Sequence, residues 1–225
     1  MKKFYIQLFV MLLFFKHYSV AHPHDAIINL GGDCQISYQL SQHHLRSYAL
    51  PFDSLITPYS ALQALLKNRF EDFMKPDNFE FIVDVQNEKY ILDKKYGVRF
   101  FHDFTLNENF LESYETISEK YLRRIERLMV LIMTSAYPLF IRKKCTKEQA
   151  IVLKQLIFEL RKEKAFLLVV LDSSEEFKSD WKLEGVRNYH LRQPYPYTWK
   201  GDLKAWREIF YDLGLLEKTE VYNIM

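Results

Sequence analysis

Cysteine and glycine are scarce in this chain, long apolar runs are absent, and each shortage removes a class of protein. The 225 residues hold two cysteines, Cys34 and Cys145, too few for the framework of a small disulfide-stapled domain. No zinc-ligand spacing, Walker loop or dinucleotide fingerprint occurs, and the one glycine pair, Gly31-Gly32, is a weak phosphate-loop signal alone. No metal and no cofactor are expected. His22-Pro23-His24 does not suit the common amino-terminal copper site, because Pro23 has no backbone N–H to give up. Six glycines and seven prolines are scattered, without repeats or low-complexity blocks, which argues against disorder. No apolar stretch reaches the roughly 20 residues that span a bilayer.

What the amino terminus does have is a basic start, Met1-Lys2-Lys3, a mostly apolar stretch over residues 4–15, and small residues at Ser19 and Ala21. That is the pattern of a secretory signal peptide over residues 1–21, leaving 22–225 as a single domain. The expectation is export, periplasmic or secreted, with a membrane anchor as the alternative if the segment stays uncleaved. Cleavage would remove three lysines and no acid, taking the formal charge from +2 to −1. A near-neutral mature chain has no bulk electrostatic attraction for nucleic acid. Export would also permit a Cys34–Cys145 disulfide.

Hydrophobic periodicity orders the rest. Residues 26–30 read as a short buried strand and 33–45 as a helix. Thr57-Pro58 reads as an N-cap followed by the first position of a helix running to about residue 73. Residues 79–85, 90–93 and 98–104 are short, aromatic and strand-like. A long amphipathic helix over 110–133 follows, then strand 136–142, helix 147–163, strand 165–172, strand 186–191 and helix 203–213, with Asp202 as a cap. Strands alternating with helices in the second half predict an α/β fold. We expect three layers, a mostly parallel sheet flanked by helices, with an antiparallel hairpin insertion around 79–104. Sites in such sheets lie beyond the carboxyl ends of the strands. That rim would carry Gly31, Gly32, Cys34, Arg142 and Asp172.

Cys34 follows an apolar strand and two glycines where a helix begins. A thiol there would have its thiolate stabilised by the positive end of the helix. A nucleophilic cysteine needs a base. Of the seven histidines, His17 lies in the signal segment and His22 and His24 at the mature terminus. His43 and His44 lie at least nine residues along the helix, more than about 13 Å from Cys34. His102, on an aromatic strand, is the leading base and His190 a distant second. Asp53, after Pro51-Phe52, and Asp172 are candidates for the third group, whereas Asp103 would point to the opposite face of a strand from His102. Backbone N–H groups at Cys34 and Gln35 would form the oxyanion hole. Tyr195, Tyr197 and Trp199 give the loop before the last helix an aromatic surface that could stack on a sugar or peptide.

Leu30-Gly31-Gly32-Asp33-Cys34, Leu45-Arg46-Ser47, Pro51-Phe52-Asp53, Phe101-His102-Asp103, Tyr121-Leu122-Arg123-Arg124 and Trp199-Lys200-Gly201-Asp202 with Trp206 occur in this order. Together they resemble a bacterial domain-of-unknown-function family labelled as a predicted papain-like cysteine peptidase, over residues 26–213. Ser54 departs from it, where members commonly have an aromatic residue. The resemblance implies a cysteine nucleophile at Cys34 and a histidine base at His102. A thiol hydrolase or acyltransferase acting on a peptide, amide or thioester is the first reading, with Asp53 completing the catalytic set. Gly31, Gly32, Gln35, Arg142, Asp172 and Trp199 are its substrate-binding candidates. The second reading is a non-catalytic or carbohydrate-related cell-envelope protein that binds an anionic or glycan ligand.

Overall fold

A computed structural model describes residues 23–217 apart from 108, 193 and 195. The expected signal segment lies outside the described residues. Four parallel strands form one sheet: β1 (Ile27–Asn29), β6 (Leu139–Lys143), β7 (Leu167–Asp172) and β8 (Val186–His190), side by side in that order. β7 is continuously apolar because both its faces are covered. Leu139, Ile141, Leu167, Val169 and Leu171 turn to one face, against Ile36 and Leu40 of α1 (Gln35–Gln42) and Trp206 and Phe210 of α5 (Leu203–Asp212). Phe140, Leu168 and Val170 turn to the other face. There they meet α2 (Tyr59–Lys67), α3 (Tyr114–Thr134) and α4 (Lys147–Leu160) through Leu62, Ile132 and Leu153. Each such side chain contributes about 1.5–3 kcal/mol by leaving water, so the alternation along the strands fixes their register.

The antiparallel part is more than a hairpin. Strands β3 (Phe79–Val83), β4 (Lys89–Asp93) and β5 (Val98–Phe100) are joined by β2 (Leu55–Ile56) into a second four-stranded sheet, ordered β2-β5-β4-β3. Its core is aromatic: Phe100 packs on Phe73, Phe79, Phe104 and Tyr121.

Two elements end sooner than the periodicity predicts. α2 stops at Lys67, and Arg69, Phe70, Asp72 and Met74 all take left-handed backbone angles. Phe70 and Phe73 stay buried without being helical. β5 stops at Phe100, so residues 101–104 form a run of bends and not a strand. Helix starts are better signalled, except that Pro58 and not Thr57 is the N-cap of α2, and no side chain caps it. Thr146 and Gln149 make a reciprocal capping box on α4. The Asp202 carboxylate accepts the Lys204 and Ala205 N–H groups as predicted. Among the described residues, no helix is long and apolar enough to cross a membrane.

Candidate active site

β1 delivers the chain to the carboxyl rim of the parallel sheet. There the Leu30 N–H donates to Ile141, Gly31 accepts from Lys143 and Gly32 accepts from Thr57. The turn requires glycine. Gly32 has φ +117°, and a Cβ there would sit 2.6 Å from the Lys143 carbonyl oxygen. Gly31, at φ +77°, donates its N–H to Asn29 Oδ1 at 2.7 Å. These two predicted site residues shape the turn. Cys34 then stands at the N-cap of α1, partly exposed.

The charge around Cys34 runs opposite to the expectation of a stabilised thiolate. Burial, then the negative charges of Asp33 and Asp103 and, more weakly, Asp53, push the thiol up to about 11. A backbone hydrogen bond at Cys34 itself opposes this and is outweighed. α1 is eight residues long, and the Gln35 N–H donates to Asp33 Oδ1 at 3.1 Å, so it is not an open oxyanion donor. Burial by itself would raise Asp33, but Lys143 at 2.8 Å and Lys144 at 3.3 Å outweigh it and hold the carboxyl below its ordinary range. A fixed anion thus stands beside the thiol, and Cys34 rests protonated.

Asp53 is buried and fully engaged. Oδ2 accepts Arg46 Nη2 at 2.8 Å, Arg46 Nε at 3.2 Å and the Leu50 N–H at 2.9 Å, while Oδ1 accepts Asn29 Nδ2 at 3.0 Å. Asn29 therefore links the Gly31 turn to the Pro51-Phe52 turn. Ser37 reinforces the link, donating at 3.0 Å to the Cys34 carbonyl and 2.5 Å to that of Asp53. Among the described residues, Asp53 makes no bond to a histidine. Asn29, Ser37 and Arg46 are the side chains of this network that had no assigned role in the sequence. Arg46, seven residues from Asp53 across a proline turn, was the readable signal.

His102 lies on the bend after β5, exposed, with its ring against Phe101. It is not hydrogen-bonded to Cys34. Its neighbour Asp103 turns inward, accepting Tyr121 Oη at 2.6 Å and pairing with Lys120. Asp103 is the link between this bend and Cys34, since its charge acts on the thiol. His190 sits on β8, at the far edge of the sheet from β1. Three strand spacings, about 14 Å, separate those edges, and His190 Nε2 is within 3.1 Å of the Ser173 carbonyl.

The other predicted residues fall into different settings. Gln35 is buried; its Nε2 donates to the Trp199 carbonyl at 2.9 Å and its Oε1 accepts from Trp206 at 3.3 Å. It clamps the aromatic loop to α1, leaving the Trp199 ring half-exposed and edge-on to Tyr38 at 5.2 Å. Arg142 is almost wholly buried and donates to the carbonyls of Leu30 and Thr57, so it braces the rim from beneath. Asp172 accepts the N–H groups of Ser173 and Ser174 and closes the turn after β7. Cys34 and Cys145 are both free thiols, and Cys145 is buried. Among the described residues no three His, Cys, Asp or Glu side chains gather as a metal site.

Comparison with known proteins adds three findings. No solved structure matches the chain. It is 28% identical over 133 residues to an uncharacterized protein, R408, of Acanthamoeba polyphaga mimivirus, covering 51% of this chain and 60% of the viral one. The chain thus spans less than two thirds of that relative, which is viral where the sequence resemblance implied a bacterial family. A family model described as "Putative papain-like cysteine peptidase" matches residues 25–170, a span that holds Cys34, Asp53 and His102 but stops before the Trp199 loop. The protein belongs to that family.

Proposed function

We propose that this protein is a thiol hydrolase or acyltransferase acting on a peptide, amide or thioester, with Cys34 as nucleophile and His102 as base. One observation carries the reading. A partly exposed thiol stands at the head of α1, on the carboxyl rim of the parallel sheet, within reach of the charge of the residue next to His102. Because the thiol rests protonated, attack is coupled to proton transfer. His102 takes the Sγ proton as the S–C bond forms and the carbonyl π pair moves to oxygen. The oxyanion collapses, the C–N or C–S bond breaks, and the imidazolium returns the proton to the leaving group. Water or an acceptor amine, deprotonated by the same imidazole, then attacks the acyl carbon, the C–S bond to Cys34 breaks, and the imidazolium returns the proton to Sγ. Export by residues 1–21 belongs to the same proposal, and the amino-terminal residue of the mature protein, read by mass spectrometry, tests it.

The test of the chemistry is alkylation by iodoacetamide in mildly alkaline buffer, located by peptide mass spectrometry. Label on Cys34, none in Cys34→Ala and no loss in Cys145→Ala is the expected result. A Cys34 that stays unlabelled in the folded protein overturns it. The half-exposed Trp199 against Tyr38 favours a second reading, a glycan-binding surface. Glycan binding that survives Cys34→Ala, in a protein whose Cys34 is inert, would select that reading.

A further inference from the structure

The aromatic pair beside α1 has no part in the chemistry above, yet it stands one helical turn from the thiol. The Tyr38 N–H donates to the Cys34 carbonyl at 3.1 Å, so helical spacing already holds at Cys34. Residues three and four further along a helix flank the starting residue, with Cβ atoms about 5–6 Å from it. Cys34 is therefore flanked by Ser37 on one side and Tyr38 on the other. Ser37 meets the turn that carries Asp53, donating to the Asp53 carbonyl. Tyr38 meets the loop before α5, its ring centroid 5.2 Å from that of Trp199 and 5.6 Å from the Lys200 ammonium. The thiol has the locked turn on one side and an aromatic shelf on the other.

The shelf is fixed through its main chain. Gln35 Nε2 donates to the Trp199 carbonyl at 2.9 Å and Gln39 Nε2 to the Lys200 carbonyl at 2.6 Å. Gly201, at φ +77°, lets the chain close on α1, since a Cβ there would lie 2.7 Å from the Gln35 side chain. These contacts hold the backbone and leave the Trp199 side chain 51% exposed, whereas Trp181 and Trp206 are 7% and 0% exposed. An aromatic ring presented on a fixed backbone has little freedom left to lose on binding.

The same glutamines decide what the shelf suits. A sugar stacked on a ring still needs polar partners for its hydroxyls. Here the nearest amides are buried and turned inward, Gln35 to Trp199 and Trp206 and Gln39 to Lys200. What remains for a ligand is ring surface, which an aromatic group meets edge-to-face or offset-stacked.

We propose that Tyr38 and Trp199 form the specificity subsite of the Cys34 thiol and that the substrate is a peptide with an aromatic side chain next to the bond attacked. This rests on the reading of Cys34 as the nucleophile.

Three neutral alkylating agents separate the claims: iodoacetamide, its N-benzyl derivative and its N-cyclohexylmethyl derivative. In the full-length protein, the ratio of N-benzyl to unsubstituted rate at Cys34 should exceed that of a cysteine peptide by about fivefold, the worth of one aromatic pair. Trp199→Ala should bring the ratio down to the peptide's, and Trp199→Phe should keep part of it. A ratio at or below the peptide's in the unaltered protein, an arm that needs no variant to fold, overturns the proposal, as does a ratio that Trp199→Ala leaves unmoved. The cyclohexylmethyl reagent should be favoured less than the benzyl one; equal preference overturns the aromatic assignment. N-acetylphenylalanine amide should protect Cys34 from iodoacetamide better than methyl N-acetylglucosaminide does; the reverse order overturns the peptide assignment. If no reagent labels Cys34, the reading of Cys34 fails and the proposal with it. Labelling without aromatic preference overturns the subsite alone and leaves the nucleophile standing.

Discussion

The Cys34 turn and the His102 bend are the two halves of the proposed site, and they are built to opposite specifications. The turn is locked. Gly32 lies against the Lys143 carbonyl, Asp33 is pinned by Lys143 and Lys144, and Asn29, Arg46 and the Leu50 N–H saturate Asp53. The bend is anchored only on one side. Asp103 is tied to Tyr121 and Lys120, while His102 faces solvent with a single aromatic neighbour. The nucleophile is therefore positioned by the fold. The base is free to adjust when a substrate arrives, as catalytic hydrogen bonds often do.

That contrast predicts where substitutions hurt folding and where they hurt chemistry. Gly32→Ala combines a left-handed backbone with a backbone clash and should cost about 3 kcal/mol or more of unfolding free energy, seen in urea titration. Asp53→Ala strands the Asn29 amide, the Leu50 N–H and the partly exposed Arg46, and should cost roughly 2–3 kcal/mol by the same measurement. His102→Ala should change stability by less than about 0.5 kcal/mol yet slow acyl transfer roughly 10²–10⁴-fold. A His102→Ala protein as destabilised as Asp53→Ala would break the comparison, because it would make His102 a structural residue.

The charge pattern sharpens the picture further. With the thiol at about 11, the alkylation rate of Cys34 should climb about tenfold per pH unit from neutrality and level off only near that value, as thiolate forms. A plateau below pH 8 would mean a thiolate–imidazolium pair at rest. The smallest effect is the least intuitive. Asp33→Asn removes an anion beside the thiol and frees two lysines, so alkylation in mildly alkaline buffer should quicken by about threefold even as stability falls. The lowered Asp33 carboxyl stabilises the fold above its unfolded value of about 3.9 and ceases to as pH drops through its folded value. Asp33→Asn should therefore also flatten the acid limb of the stability curve.

The sequence announces the locked half better than the free one. Glycines that only a tight turn explains, the apolar run of β7 and the Asp202 cap are local signals with local causes, and they appear where predicted. The length of α2 is not such a signal. Phe70 and Phe73 continue the helical spacing because they are buried, while a series of left-handed residues carries them there without a helix. Periodicity reports burial, and helicity only when the backbone cooperates. Arg142 illustrates the same limit. Its position at a strand end suggested a ligand-facing rim, but its side chain turns under the sheet edge to brace Leu30 and Thr57, a choice made by long-range packing. The expected strand through His102 fails for a related reason: the aromatic residues of 100–104 serve the core from a bent chain. The raised thiol was legible only in part: Asp33 adjoins Cys34 in the sequence, but burial and the charges of Asp103 and Asp53 act on it only after folding.

Trapping the acyl-enzyme tests the central claim most directly. The protein is mixed with an activated acetyl ester, p-nitrophenyl acetate, released p-nitrophenolate is followed by absorbance, and the acetyl group is located by peptide mass spectrometry. The account predicts a burst of about one p-nitrophenolate per chain, with acetyl on Cys34, absent in Cys34→Ala and slowed at least a hundredfold in His102→Ala. Acetyl found only on lysines, or a burst that is indifferent to His102, would contradict it.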